Sequence, residues 1–194
     1  MGNAVAERRE TRTNQILGCA WKLAAEHGVA GLSLHALARE VGIRQPSLYG
    51  YFESKHALYD AMFAGGNRQL IERLDGIELP EDARAALKSV LRTFIGFSLE
   101  EPARCELLFE RHIPGFTPSP DSYALAEQAL AIVTTAMRRA GVTAQGDVDC
   151  LVAITAGLMQ AQLANDPGGT RWVRHLDRMV DLYLDDIERR RKHR

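Results

Sequence analysis

The stretch from Gly42 to Phe52, "GIRQPSLYGYF", brings together side chains that can hydrogen-bond to the edges of DNA bases. Arginine can bridge guanine, glutamine can bridge adenine, and proline or the methylene of serine can touch the methyl group of thymine. The chain offers these groups in succession, at Arg44, Gln45, Pro46 and Ser47. Donors that suit phosphate oxygens follow at Tyr49, Tyr51 and Lys55. These residue types in this order indicate a surface that reads DNA.

Two short predicted helices would position this stretch. The first, in "LSLHALAREVG", starts after Ser33, which is a good N-cap, and stops at Gly42. The second carries Pro46 in its first turn, where the missing N–H would have had no partner. Such a pair forms a helix-turn-helix, whose second helix enters the major groove with its N-terminal residues nearest the bases. Leu48 and Phe52, four residues apart, are predicted to face inward and hold that helix on its partners.

The tyrosines have an alternative interpretation, in which Tyr49 and Tyr51 are half-buried core aromatics and Lys55 is a solvated charge. Residues two apart on a helix point about 200° away from each other, so at least one tyrosine is predicted to be exposed. Charge adds only a weak signal, because residues 1–60 carry seven Lys and Arg against six Asp and Glu. DNA affinity would depend on a few placed cations, with two subunits contributing together.

The whole chain is predicted to be all-α, with about nine helices. Apolar residues recur at helical spacing almost everywhere, and no stretch alternates as a strand would. Ser54 and Asp121 are predicted to cap the helices that follow them, Asp147 to open another helix, and Gly65 with Gly66 to bend one. No apolar run approaches the roughly 20 residues that span a bilayer, and the first residues contain no apolar signal core, which predicts a cytoplasmic protein. Three cysteines that are far apart fit neither a disulfide framework nor a zinc site, so buried free thiols are predicted at Cys19, Cys105 and Cys150.

Residues 16–63, from "ILGCAWKLAAEHG" to "HALYDAMF", resemble the DNA-binding domain of the TetR family of transcriptional regulators. The resemblance rests on the helix pair in "LSLHALAREVGI", on the run "LYGYF" and on the "SKHAL" that follows. It implies a homodimeric repressor that binds a palindromic operator in double-stranded DNA. It also implies that a small apolar or amphipathic molecule, bound in the C-terminal domain, releases the repressor from DNA.

The resemblance divides the chain into a DNA-binding domain at 9–69 and a ligand-binding and dimerisation domain at 70–194. It places the following residues at positions that the family uses on DNA: Ser33, His35, Arg44, Gln45, Pro46, Ser47, Tyr49, Tyr51 and Lys55. His35 stands where the resemblance leads one to expect a base-reading arginine, and Gly50 replaces a bulky residue. The operator sequence therefore cannot be carried over from the family.

The last two long predicted helices offer complementary surfaces for a dimer. The first has small residues at four-residue steps, which permit close approach of helices, at Ala153, Gly157 and Ala161. The second has an apolar stripe at three- and four-residue spacing, formed by Val173, Leu176, Val180, Tyr183 and Ile187. Paired with their symmetry mates, the two helices would form a four-helix interface. Both stripes could instead be intrachain core.

A ligand pocket is predicted among the middle helices, lined by apolar groups with a few polar ones. Its predicted residues are Phe94, Phe97, Leu108, Phe109, His112, Phe116, Met137, Met159 and Gln160. His112 precedes the proline-rich loop "IPGFTPSP" and could mark the mouth of the pocket. Each of these residues could also be plain core.

Two other functions stay open at this point. A constitutive DNA-binding protein without an inducer would carry the same helix-turn-helix. An enzyme or carrier would need a nucleophile with a base, a metal cluster or a phosphate loop, and neither H-x-x-x-H, G-x-S-x-G nor a glycine-rich phosphate loop is present. His112, Asp121 and Ser122 offer only a weak triad across the proline loop. No catalytic activity, metal or cofactor is predicted.

Overall fold

The computed structural model describes residues 2–110 and 113–193, with side chains described from residue 6 onward. Within these residues the chain forms nine α-helices and one short 3-10 helix, and no strand. The predicted all-α class is confirmed. The α-helices are α1 Gly2–His27, α2 Leu34–Val41, α3 Gln45–Leu48, α4 Lys55–Asp75, α5 Ala83–Glu100, α6 Pro102–Phe109, α7 Pro120–Arg139, α8 Gln145–Asn165 and α9 Leu176–Lys192.

Several helix ends lie where the sequence predicts them. Ser33 caps α2, with its hydroxyl accepting from the N–H of Ala36, and Ser54 caps α4 in the same way through Ala57 at 3.0 Å. Gly42 ends α2 in the left-handed conformation, with φ of 75°, which a glycine adopts without strain. These local signals position the first four helices.

Other helix ends differ from the sequence prediction. The hydroxyl of Ser119 accepts from the N–H of Ser122, so α7 begins at Pro120, and Asp121 lies in its first turn instead of capping it. The helix α8 likewise begins at Gln145, two residues before the predicted start, and Ala144 supplies no side-chain cap. Ser119 and Asp121 are both good N-caps, so residue type alone does not decide where α7 begins.

The chain divides into two compact units. The first comprises Met1–Asn67 with Glu101–Leu125, and the second comprises Arg68–Glu100 with Ala126–Arg194. Apolar side chains of α1, α2, α3 and α4 form the core of the first unit, among them Ile16, Leu37 and Leu58, which are all 0% exposed. The functional boundary between 9–69 and 70–194 stays a prediction.

The helix α4 runs through Gly65 and Gly66 without interruption, where the sequence predicts a bend. A Cβ atom at Gly66 would lie only 3.1 Å from Cδ1 of Leu108, on α6. The absence of a side chain at this position therefore lets α6 approach α4 closely.

The core of the second unit includes Leu87, Leu151 and Val180, each 0% exposed. Its helices α5 and α9 are joined by a row of ion pairs, called here the charge ladder. Lys88 lies 2.5 Å from a carboxylate oxygen of Asp181. The remaining pairs join Arg84 to Asp181, Asp185 and Glu188, and Arg92 to Asp177.

The three cysteines are free but differ in burial. Cys105 is buried, as predicted, and burial raises the pKa of its thiol to about 11. Cys19 is half-buried and Cys150 is exposed on α8, so the prediction of three buried thiols is wrong for Cys150. Among the described residues, no helix combines the length and apolar character that crossing a membrane requires.

Candidate nucleic-acid interface

The helix that carries the predicted base-reading residues, α3, is a single turn of four residues. Arg44 precedes it in extended conformation, and Pro46 lies in its first turn. The backbone stays folded beyond α3, because the N–H groups of Tyr51 and Phe52 both donate to the carbonyl of Leu48 at 2.9 Å. The second helix of the predicted pair is therefore one helical turn followed by a tight turn, named here the recognition element (residues 44–52).

The recognition element has a buried side and an open side. Leu48 and Phe52 are 2% and 7% exposed, which confirms the prediction that they face inward. On the other side Tyr49 is 48% exposed, and this confirms that at least one tyrosine reaches solvent. The predicted base-reading residues Arg44, Pro46 and Ser47 are also exposed, while Gln45 and Tyr51 are half-buried.

The helix α2 leaves its predicted DNA-contacting residues in solvent as well. Ser33 and His35 are both exposed, although the hydroxyl of Ser33 is engaged as the cap of α2, 3.4 Å from the N–H of Ala36. The two helices thus present their polar groups to solvent while Leu37 and Val41 are buried beneath. Contact with DNA stays a prediction for each of them.

The turn between α1 and α2 is held by three side chains from other helices. The hydroxyl of Tyr59 donates to the carbonyl of Val29 at 2.8 Å, and a carboxylate oxygen of Glu106 accepts from the N–H of Val29 at 3.2 Å. The ammonium of Lys55 donates to the carbonyl of Ala30 at 3.1 Å. Because this intrachain bond competes with a phosphate contact, the structure gives Lys55 a structural role that the sequence did not indicate.

A cavity of about 660 Å³ lies within the first unit. Its walls come from α4, α6, the loop at 113–119 and the start of α7. The lining is mostly apolar, and Phe116 of the loop meets Phe63 of α4 with ring centroids 6.5 Å apart. Three of the predicted ligand residues line this cavity: Leu108, Phe109 and Phe116.

The other predicted ligand residues that the structure describes do not line this cavity. His112 lies outside the described residues. Five belong to the second unit, where Phe97, Met137 and Met159 are 1%, 2% and 7% exposed and form core, while Phe94 is half-buried and Gln160 is exposed. Helical periodicity identifies an apolar face but not whether that face borders a cavity or a packed neighbour, and this explains the difference.

A polar cluster joins α4 to the start of α7 beside this cavity. The carboxylate of Asp60 accepts from the N–H of Ser119 at 2.7 Å and from its hydroxyl at 2.9 Å. The hydroxyl of Ser122 donates to the same carboxylate at 2.8 Å. We call this group the Asp60 cluster. It occupies Ser122 in a structural hydrogen bond, where the sequence left open a weak catalytic triad.

Residues 16–62 match the family model of the bacterial regulatory proteins, tetR family. The matched span includes α2, the recognition element and the buried Leu48 and Phe52. This match assigns residues 16–62 to the TetR family.

Similar proteins agree with this assignment. The HTH-type transcriptional regulator Rv1816 of Mycobacterium tuberculosis (strain ATCC 25618 / H37Rv) is 27% identical over 126 residues, which are 62% of this chain and 54% of the relative. A TetR family transcription regulator from Marinobacter aquaeolei VT8 has the same fold, with a TM-score of 0.69 and 21% identity over 93% of this chain and 97% of the other. A TetR transcription regulator from Haloarcula marismortui ATCC 43049 has a TM-score of 0.71 and 18% identity, over 91% and 98% of the two chains. The chain spans about half the length of the curated relatives it matches.

The predicted dimer residues on α8 and those on α9 differ in exposure. On α8, Ala153 and Gly157 are exposed and Ala161 is half-buried. A Cβ atom added at Gly157 would meet no atom of the described residues within 4 Å, so this side of α8 is open among them. Val152, which directly precedes Ala153 on α8, is 45% exposed. The small-residue ridge of α8 is thus on the surface of the single chain.

The predicted stripe on α9 requires a correction. Leu176, Val180 and Ile187 are 2%, 0% and 3% exposed, because this side of α9 packs inside the second unit. Val173 and Tyr183 are half-buried, and the hydroxyl of Tyr183 donates to a backbone carbonyl of α8 at 2.9 Å. The stripe is intrachain core, the alternative that the sequence left open.

Sequence reasoning missed one contact of the TetR-type recognition element. Arg9, on the first turns of α1, donates to the carbonyl of Gly50 at 2.8 Å. Its guanidinium carbon lies 5.7 Å from the centroid of the Tyr51 ring. The cations of "ERRETRT" were the available signal, but 41 residues separate Arg9 from Gly50, and the periodicity of α1 does not show which arginine reaches the turn.

Proposed function

We propose that this chain is a DNA-binding transcriptional regulator that acts as a homodimeric repressor on a palindromic operator. The observation that carries the proposal is the two-sided recognition element. Leu48 and Phe52 anchor it from behind, and the polar groups of Arg44, Ser47 and Tyr49 stand in solvent at its outer side. Side chains at the start of the second helix of a helix-turn-helix are those nearest the base edges in the major groove.

Each residue of the outer side has a chemical role in this proposal. Arg44 would bridge guanine and Gln45 adenine, and each good bidentate pair discriminates by about 1–3 kcal/mol against a wrong base. Pro46 and Ser47 would contact a thymine methyl group. The hydroxyl of Tyr49 would donate to a phosphate oxygen, which positions the helix without reading sequence.

The exposed apolar side of α8 supports a homodimer. Val152 is 45% exposed beside the open small-residue ridge, and Leu182 on α9 is 59% exposed. The helix α8 also buries Leu151 and Leu158 on its inner side, and a helix that is apolar on both sides is typical of one that is covered twice. A second copy related by a twofold axis would cover this surface and bring two recognition elements to half-sites roughly 34–36 Å, or a multiple, apart.

The cavity of the first unit supports release of DNA by a ligand. Its volume of about 660 Å³ falls within the range of small-molecule sites, and its mostly apolar lining favours a small apolar or amphipathic molecule. Phe63 of α4 forms one wall, and on the preceding turn Tyr59 supports the turn between α1 and α2. A ligand that prefers a different position of α4 would lower DNA affinity by linkage. A constitutive DNA-binding protein would have no use for such a cavity.

The proposal is tested by titrating the protein onto labelled DNA from upstream of its own gene at moderate salt. We expect saturable binding that Arg44→Ala weakens about tenfold or more, because a bidentate base contact is lost. Arg178→Ala removes an exposed arginine of the second unit and serves as the matched control, which should bind normally. Apolar molecules that raise the melting temperature should release the DNA. Absence of saturable binding by the unaltered protein would overturn the proposal.

A further inference from the structure

The recognition element is too short to fix its own position. A single helical turn makes few backbone hydrogen bonds for the dihedral angles it fixes, so an isolated turn is unstable in water. Leu48 and Phe52 fasten its inner side, but the tight turn beyond Tyr49 carries an exposed Gly50. The N–H of Gly50 makes only a long bond of 3.3 Å to the carbonyl of Ser47. This end of the recognition element therefore requires stabilising contacts from another part of the chain.

Arg9 makes those stabilising contacts. Its guanidinium donates to the carbonyl of Gly50 at 2.8 Å and lies over the ring of Tyr51 at 5.7 Å. Carbonyl groups just beyond a helix C-terminus have no intrahelical partner, and a cation there is favoured by the helix dipole. A guanidinium within about 6 Å of an aromatic ring adds a cation–π attraction. Arg9 therefore grips both the backbone and a side chain of the same turn.

The arginine one turn further along α1 acts on the other helix of the motif. Arg12 donates to the carbonyl of Val41, the last residue of α2, at 3.3 Å, and to the side chain of Gln15 at 2.6 Å. Arg8 and Arg12 both border a shallow groove along α1 that Arg9 does not line. Arg8 thus carries the same charge as Arg9 without its contact to Gly50.

We propose that Arg9 is a positioning residue for DNA recognition. By holding the turn at Gly50 and Tyr51, it sets where Ser47 and Tyr49 stand when the outer side of the element meets a duplex. This inference rests on the proposed DNA-binding function. Its specific content is that Arg9 acts on sequence discrimination through the recognition element, and not only as one more positive charge near DNA.

The experiment compares Arg9→Ala with Arg8→Ala on two duplexes, the operator selected by the unaltered protein from random DNA and an unrelated sequence. Each variant loses one cation, so both should bind unrelated DNA equally less well. Arg9→Ala should lose about tenfold more affinity for the operator, because the turn is no longer held. Arg9→Lys keeps the charge but not the planar donor group, and should recover binding to unrelated DNA more than discrimination. Equal loss on both duplexes for Arg9→Ala and Arg8→Ala would overturn the inference.

A second measurement needs no DNA. Amide hydrogen exchange of the free protein should become faster at Tyr51 and Phe52 in Arg9→Ala and stay unchanged in Arg8→Ala. Unchanged exchange in both variants would contradict the hold. If exchange is faster in Arg9→Ala but the unaltered protein selects no operator, Arg9 does stabilise the turn and the proposed DNA-binding function is wrong. The failure of the inference and the failure of the proposed function are therefore distinguishable. Arg9 is exposed, and circular dichroism should show that both variants remain folded.

Discussion

The backbone of Val29 is satisfied from two helices that are distant in sequence. Its carbonyl accepts from the buried hydroxyl of Tyr59, and its N–H donates to Glu106. Buried backbone groups are costly when they lose a partner, since they cannot turn to water instead. The turn that sets the angle between α1 and α2 therefore depends on single atoms of α4 and α6, which also wall the cavity through Phe63 and Leu107.

Removal of one of these atoms gives a residue-scale prediction. Tyr59→Phe deletes the hydroxyl and leaves the carbonyl of Val29 without its donor, so we expect the free energy of unfolding to fall by about 1–2 kcal/mol. Urea denaturation followed by circular dichroism measures this change. The matched control is Tyr123→Phe, in a side chain that is 49% exposed, and it should change stability by less than about 0.5 kcal/mol. A loss of equal size in both variants would show that the hydrogen bond contributes nothing.

At the scale of single elements, the sequence predicted the features that depend on residues close together in the chain. Ser33 and Ser54 cap the helices that follow them, and Leu48 and Phe52 are buried at the predicted spacing. These features depend on side-chain chemistry and periodicity within a few residues of the chain. The same reasoning could identify the outer side of the recognition element before any coordinates.

Contacts between distant segments were beyond such reasoning. The apolar stripe of α9 fits a partner chain or the chain's own core equally well, and only the position of α5 and α8 assigns Val180 to the core. The cap of α7 belongs to Ser119 because the carboxylate of Asp60, 59 residues away, fixes that serine. The hydrogen bond from Arg9 to the carbonyl of Gly50 also joins residues that are distant in sequence. Periodicity and spacing identify the apolar side of a helix, but they do not show which other helix or segment packs against it.

The charge ladder between α5 and α9 gives a prediction about pH. Lys88, with Arg84, lowers the pKa of the Asp181 carboxyl below its ordinary value, so the folded protein keeps that group ionised to lower pH than the unfolded chain does. The stabilisation is present above the unfolded pKa of about 4 and is lost as the pH falls through the folded value. Asp181→Asn should therefore lower the free energy of unfolding by about 0.5–1 kcal/mol at pH 7, and the difference should shrink as the pH falls through the folded pKa.

Urea denaturation at several pH values checks the ladder prediction. The matched control is Glu127→Gln, which alters an exposed carboxylate of α7 that lies outside the ladder and should change stability by less than about 0.5 kcal/mol at pH 7. High salt should shrink the effect of Asp181→Asn, because the Asp181 side chain is 39% exposed. A deficit for Asp181→Asn that persists unchanged into strongly acidic solution would mean that packing, and not charge, joins the two helices here.

At the scale of the whole molecule, the proposed dimer explains an arrangement that one chain alone leaves unused. At Gly157 the small-residue ridge of α8 meets none of the described residues, and Val152 and Leu182 are large apolar side chains in solvent. A lone exposed apolar residue is ordinary, but several on one helix pair favour a protein partner. A palindromic operator requires the twofold symmetry that a second copy would supply.

This arrangement predicts that bulk at the ridge separates the dimer without harming the fold. In Gly157→Leu the new side chain enters open space in the single chain, and leucine is a better helix former than glycine by up to about 1 kcal/mol, so the chain should fold at least as well. Two copies could no longer approach closely, and sedimentation velocity should show a shift from dimer to monomer together with weaker operator binding. Gly96→Leu is the matched control, since Gly96 is also an exposed helical glycine with nothing within 4 Å of an added Cβ atom, but on α5. It should leave the dimer intact, and a Gly157→Leu protein that remains fully dimeric would place the interface elsewhere.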